Sequence, residues 1–329
     1  MSSNGLMSAV LATGALTLAA ALVEAQNAGS PPGPPPGFRS HTVHQGEVNP
    51  KPNPERFKKP KRENKQKDGE LTRGKSVIAA AWFIDPSNRY KHTPFGTEVH
   101  PTGLTVSTHE QRILKFSLPK DSVFEDRVPR LVDLDGDGGE EIVVVRAYER
   151  KGAALVVLGV RGNEVQILAE TPPIGIPHRW LNPIGFGDFD GDGHVDIAIV
   201  QTPHLSGELQ IWSYKHGKLE QIASTGDVSN HVNGSKHLKL SAVADFNGDG
   251  RLDIAVPSQD RRRLRFFTFE KGDIEEIGEV ALPSPAAEDF EVILVKGNPA
   301  VKVGLAGGRT VVIAPCRDVP GWEMTKGDC

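Results

Sequence analysis

Three short stretches of the chain concentrate oxygen ligands at a spacing that can hold a hard cation. They are DLDGDGGEEIVVV from Asp133, DFDGDGHVDIAIV from Asp188 and DFNGDGRLDIAVP from Asp245. Counted from the first acid, each places a carboxylate or amide oxygen at positions 1, 3 and 5, a glycine at 6 and an acid at 9. The sets are Asp133, Asp135, Asp137 and Glu141; Asp188, Asp190, Asp192 and Asp196; and Asp245, Asn247, Asp249 and Asp253. Alternate residues of a tight loop turn their side chains toward a common centre, and Ca²⁺ accepts roughly six to eight oxygens in forgiving geometry. The expected further ligand is the backbone carbonyl at position 7, from Gly139, His194 or Arg251. A main-chain ligand leaves the side chain free, which accommodates three different residues. Gly138, Gly193 and Gly250 permit the sharp turn. The alternative is an Asp-Gly-rich turn without metal, but acids packed this closely repel one another unless a cation sits among them. Ca²⁺ is therefore the expected cofactor.

An EF-hand begins in the same way but needs a bidentate acid at position 12 and a helix on each side. Position 12 here is Val144, Ile199 or Val256, inside the β-branched runs IVVV, IAIV and IAV. Those are strand sequences, so each loop joins two strands. The first acids lie 55 and then 57 residues apart, a period that points to repeated supersecondary units. Within the second unit the pattern predicts strands near 181–187, 197–202, 208–214 and 219–224, four antiparallel strands to a blade. Residues 289–314 match a blade whose acidic loop is reduced to a KGNP turn, and 77–84, 103–107 and 113–118 read as a degenerate first blade. The expected fold is an all-β propeller of about five four-stranded blades, the last short of a strand.

The pattern D-x-[DN]-G-D-G-x-x-[DE]-[IL]-x-V resembles the calcium half of FG-GAP/VCBS repeats, known from integrin α-subunit propellers and bacterial exported proteins. The resemblance extends over residues 76–315 and implies the fold and the metal sites. The Phe-Gly and Gly-Ala-Pro halves of the integrin pattern are largely missing, apart from Gly185-Phe186-Gly187. Integrin-type ligand recognition is therefore not implied.

The remainder of the chain bounds the setting. The apolar run LMSAVLATGALTLAAALV with small residues near Val23-Glu24-Ala25 reads as an export signal over 1–25, with an uncleaved membrane anchor as the alternative. No other stretch could span a bilayer, so no stable span is expected after cleavage, and the expected location is periplasmic or secreted. Residues 26–75, with PPGPPPG and KKPKRENKQK, have the composition of a disordered linker. The lysine-rich run could instead be an anionic-surface patch, but no aromatic residue is interleaved for base stacking. A net charge of −4 also argues against a nucleic-acid partner.

Aromatics at 6% against 35 glycines and 25 prolines suit short strands and turns. No G-x-S-x-G elbow, H-E-x-x-H helix or Cys/His pair is present, so the chain is read as a binding or interaction module rather than an enzyme. In an antiparallel blade successive connections alternate between faces. The face opposite the acidic loops should collect Tyr148, His178, Arg179, Trp180, His204, His231, Arg261 and Arg262, a set of the type found at recognition surfaces. That face is the expected docking site for an unidentified protein or glycan, with Trp180, Trp212 and Tyr214 available for sugar stacking. Solvated loops and blade packing are the structural alternatives.

Cys316 and Cys329 in the tail 316–329 are expected to pair in an oxidising compartment. So short a loop contributes on the order of 3 kcal/mol in the chain-entropy model. Thiol titration of protein purified from its natural compartment should find no free cysteine, and N-terminal sequencing should begin at Gln26; two free thiols would rule the bridge out.

Overall fold

The computed structural model describes residues 65–314. The stretch read as an export signal, the part of the expected linker up to residue 64 and both cysteines lie outside the described residues. Among those described, no helix is long and apolar enough to cross a membrane.

The structure is all-β, with five antiparallel sheets in a roughly five-bladed propeller arrangement. The first sheet runs β1 (Leu71–Arg73), β2 (Ile78–Ser87), β3 (His100–Thr108) and β4 (Ile113–Ser117). The second is built on β7 (Glu141–Tyr148), β8 (Gly152–Arg161) and β9 (Glu164–Glu170). Its inner position is shared by two short strands, β5 (Ser122–Phe124) and β6 (Arg130–Val132), both paired with β7. The third sheet is β10 (Leu181–Gly187), β11 (Asp196–Gln201), β12 (Glu208–Lys215) and β13 (Lys218–Gly226). The fourth is β14 (Ala242–Ala244), β15 (Asp253–Pro257), β16 (Arg263–Glu270) and β17 (Asp273–Ala281). The fifth has three strands, β18 (Ala286–Val295), β19 (Asn298–Leu305) and β20 (Arg309–Ile313).

These elements follow the sequence pattern closely in the middle of the chain. The third sheet departs from the strands expected there by no more than two residues at any end. At the front, β1 falls inside the stretch read as linker, so ordered β-structure begins before residue 76. Its sequence, LTR, has one apolar residue and no periodicity. It is a strand because Leu71, Thr72 and Arg73 pair with Trp82, Ala81 and Ala80 on β2, a partnership invisible in the local sequence.

The core lies between sheets. β7 and β8 are buried along almost their whole length, whereas the outer β9 alternates toward solvent. A middle strand covered on both faces by neighbouring sheets reads as a continuous apolar run. Separate hydrophobic clusters fill the first–second interface (Phe83, Phe124, Val144), the second–third (Val145, Leu155, Ile197), the third–fourth (Val200, Ile211, Phe267) and the fourth–fifth (Phe266, Val301, Val303). A register shift recurs in the outer strand pair of the three repeats, between Val157/Leu158, Ile211/Trp212 and Phe266/Phe267. Equivalent bulges at equivalent places show one structural unit used three times, each outer edge given the same extra twist.

Phe246 is completely buried in the fourth–fifth cluster and Leu294 is 72% exposed. Phe246→Ala should cost about 3–5 kcal/mol in chemical denaturation, and Leu294→Ala should stay within about 0.5 kcal/mol of the parent.

Candidate cation loops and the opposite-face cavity

The three acidic loops join the innermost strand of a sheet to the next one outward, at β6–β7, β10–β11 and β14–β15. Their internal bonding repeats almost atom for atom. The first acid accepts two backbone N–H groups, Gly136 and Gly138 on Asp133, Gly191 and Gly193 on Asp188, Gly248 and Gly250 on Asp245. The position-5 acid accepts from the residue two on, Gly139, His194 or Arg251. The position-9 acid reaches back to the N–H at position 2, at 3.1 Å for Glu141–Leu134, 3.2 Å for Asp196–Phe189 and 2.8 Å for Asp253–Phe246. The position-6 glycines have φ of 88°, 88° and 89°, and a Cβ there would meet nothing within 4 Å. Backbone conformation, not crowding, demands glycine at these points.

Ligand atoms of Asp133, Asp135 and Glu141 lie within 4.8 Å of one another, as do those of Asp188, Asp190 and Asp196. These two clusters can coordinate a divalent cation. Asp196 Oδ1 is buried and makes no hydrogen bond of good geometry among the described residues, although the Ser213 hydroxyl lies close enough to favour the ionised carboxylate, so a cation would find an under-satisfied oxygen here. An all-oxygen donor set suits a hard ion. The position-5 acids Asp137 and Asp192 stand outside the converging trios, and Asp192 is held by an ion pair to Lys215. In the third loop Asn247 turns its amide nitrogen toward Asp249 (3.1 Å) and Asp253 (3.4 Å), a neutral donor bridging two acids. Basic side chains missed by the sequence reading border the loops: Lys215 by Asp190 and Asp192, and Arg161 3.7 Å from Glu141.

Burial is the leading electrostatic effect. It raises Glu141 to about 7, with Asp135 adding repulsion, and Asp196 to about 7, with Asp190 adding repulsion. Asp253 rises to about 6 for the same first reason. Without a counter-cation these acids are poised to hold a proton; a bound cation would displace it.

A family model described as an FG-GAP-like repeat matches residues 133–199 and 188–256, the segments that carry the loops. The chain is also 24% identical over 198 residues to cartilage acidic protein 1 of Xenopus tropicalis, covering 56% of this chain and 29% of that relative. These likenesses support a general FG-GAP/VCBS-repeat, integrin-like propeller family. The chain thus spans less than a third of that relative's length.

On the opposite face the structure brings together most of the residues expected there. Connections hydrogen-bond to one another across blades, as in Gln259 Nε2–H to Pro203 O (3.2 Å) and Gln259 N–H to Asp227 O (3.1 Å). A cavity of about 230 Å³ opens among His92, His178, Arg179, Trp180 and His204. Two of the residues expected at the surface are instead core. Trp180 is 3% exposed and His231 is fully buried. Trp180 donates its indole N–H to Glu125 O (2.9 Å) and packs edge-on to Phe95, while His204 stacks over it at 5.7 Å. Trp212 and Tyr214 are likewise buried, so neither is a sugar platform. Tyr148 lies elsewhere, bonded to Glu170 beneath the Arg146 guanidinium, and Arg262 is not among the cavity residues. Arg261 is half-buried and near enough for its charge to disfavour protonation of His204 and His231.

The sequence reading missed the segment that roofs this region. Residues 88–99, between β2 and β3, carry Tyr90, His92 and Phe95 across to the third blade, where Gly234 N–H bonds Pro94 O at 2.7 Å. A long connection rich in aromatic and imidazole groups was the available signal. Glu125 has a different origin, sitting in the break between β5 and β6, fully buried and 2.6 Å from His92 Nδ1.

Raised carboxylate values set the sign of a pH effect. The ordinary carboxylate range is about 4, so between there and about 7 the cation-free folded chain retains protons that the unfolded chain has lost. The contribution of these acids to stability should therefore fall as pH rises through that window, while the buried His204 and His231, held below the ordinary imidazole value, contribute with the opposite sign. The rise in melting temperature on adding saturating divalent cation to EDTA-treated protein should be larger at pH 8 than at pH 5.5, a comparison in which the histidine contribution cancels.

Proposed function

We propose that the chain is an exported, calcium-binding propeller that serves as an interaction module and not as an enzyme, with Ca²⁺ holding the acidic loops in their folded form. The observation that carries this reading is the repetition of one loop with a buried position-9 acid, which in two of the three copies closes to within 4.8 Å on acids at positions 1 and 3. The donor set is all oxygen and the loops are built on strands, which suits a flexible, oxygen-seeking ion. Asp133, Asp135 and Glu141 would hold one ion, Asp188, Asp190 and Asp196 a second, and Asp245, Asn247 and Asp253 a third once the Asn247 amide presents its oxygen. The bound ion would supply charge neutralisation at three buried carboxylates.

A module of this kind needs a surface away from its structural ions. The face opposite the loops offers one, with Arg179, His178 and the exposed Leu205 around an open cavity. A partner docks there in this reading, and export of the chain follows from the sequence signal.

Calorimetric titration of EDTA-treated protein tests the ion assignment. Calcium present at about 100 times its dissociation constant should add roughly 2.7 kcal/mol of stability per site. Asp190→Ala should bind one fewer calcium than the parent chain, with a smaller melting shift; unchanged stoichiometry would remove the second loop from the ligand assignment.

A further inference from the structure

The opposite-face cavity has a polarity that can be worked out atom by atom. His231 Nε2 lies 3.2 Å from Ser235 O, and a carbonyl can only accept, so His231 carries its proton on Nε2. Its Nδ1 is then an acceptor, and the 2.7 Å contact with His204 must be donated by His204 Nε2–H. Burial holds both rings neutral, lowering His204 to about 4 and His231 to about 3. His204 Nδ1 is left as a lone pair with no bond to any described residue, on a side chain that lines the cavity. His92 is oriented in the same way from the other side: its Nδ1 faces the buried Glu125 carboxylate, leaving Nε2 as its free ring nitrogen. Two imidazoles are therefore fixed by partners behind them, with hydrogen-bonding capacity unused in front.

The other walls complete the character of the site. Arg179 and Asn233 bring donors, and Pro203 and Leu205 an apolar side. Two lining residues hold left-handed backbone, His178 at φ 56° and the β-branched Thr202 at φ 49°. Threonine rarely adopts that conformation, and such strain gathers where side-chain position matters more than stability. Thr202 is kept there by bonds from Leu205 N–H (2.9 Å) and Gly207 N–H (3.1 Å) to its carbonyl.

Elimination narrows the occupant. No described residue lining the cavity is acidic, which disfavours an amine or a hard cation. Among the described residues, three-ligand groups within 4.8 Å occur only in the acidic loops, so the imidazoles do not converge on a transition metal. With His204 and His231 neutral, Arg179 is the one fixed cation among the described lining residues, so a multiply charged anion would find a single guanidinium to match it. At about 230 Å³ it is smaller than the roughly 300–1,000 Å³ of typical ligand pockets, enough for one ring. A neutral ring whose groups both donate and accept, and which has an apolar C–H side, fits these walls.

We propose that this cavity is a saccharide site that takes one neutral pyranose unit of a glycan, its hydroxyls bonded by His204 Nδ1, His92 Nε2, Arg179 and Asn233. The assignment rests on the reading of this face as the docking face and gives that face its ligand class.

Saturation-transfer NMR on the mature, calcium-loaded protein, with methyl glucoside, galactoside, mannoside and N-acetylglucosaminide as probes, tests it. At least one pyranoside should receive saturation and shift the His204 imidazole resonances. Arg179→Ala, and His204→Phe, which retains a ring over Trp180 but removes Nδ1, should each weaken binding at least tenfold while calcium stoichiometry stays unchanged. Absence of transfer to every pyranoside overturns the proposal, as does binding that survives both substitutions. Binding of glucuronate without its neutral counterpart would make this an anion site. A cobalt(II) spectrum showing imidazole ligation that is lost in His92→Ala would make it a metal site. A protein partner captured by this face, with no pyranoside bound, would sink the saccharide assignment and leave the docking face standing; pyranoside binding with partners docking on the loop face would do the reverse.

Discussion

A carboxylate buried at the start of the second strand organises each acidic repeat. Glu141, Asp196 and Asp253 are all 1% exposed or less, and each reaches back to the backbone two residues into its own loop. An ionised acid in that position is costly unless its charge is matched. The first acid of the loop folds the intervening glycines around itself, and the third residue turns inward to the same point. Strand pairing, loop shape and affinity for a cation are thus one constraint, repeated at 55- and 57-residue intervals. The apolar strands on either side depend on it, because the loop sets the register in which β10 meets β11 and β14 meets β15.

The opposite face is built by a different logic. Its connections are unequal in length, from 149–151 to 227–241, and several bond one another across blades. The segment 88–99 reaches from the first sheet to the third, and the break between β5 and β6 sets Glu125 beneath it. Around this join the side chains are imidazole, indole, amide and guanidinium, several of them buried and mutually bonded. One face therefore repeats and the other is singular. Repetition serves the fold through loops able to take a cation, and singular geometry is where selective recognition has room to arise.

Much of this was legible in the residues alone. The acidic loops announce themselves because ligation and tight turning restrict residue type at every second position, and the flanking β-branched runs identify strands wherever a middle strand is covered on both sides. Strand order, the five-sheet arrangement and the missing strand of the last sheet follow from counting such units. The alternation of connections between faces likewise puts His178, Arg179 and His204 on one side of the sheets, and in the structure the three line one cavity.

Contacts between residues far apart in sequence decided the rest. β1 is a strand only because β2 offers it an edge, since LTR carries no periodicity of its own. Trp180 and His231 belong to the core because a loop from the first blade brings Phe95 against them, and nothing near either residue signals that cover. Lys215 and Arg161 meet the acidic loops from turns one strand pair away. Local chemistry is written in the order of the residues, so ligand spacing and strand character were determined by sequence. Burial, tautomer and charge pairing depend on which distant segment arrives alongside, and only the folded chain specifies that.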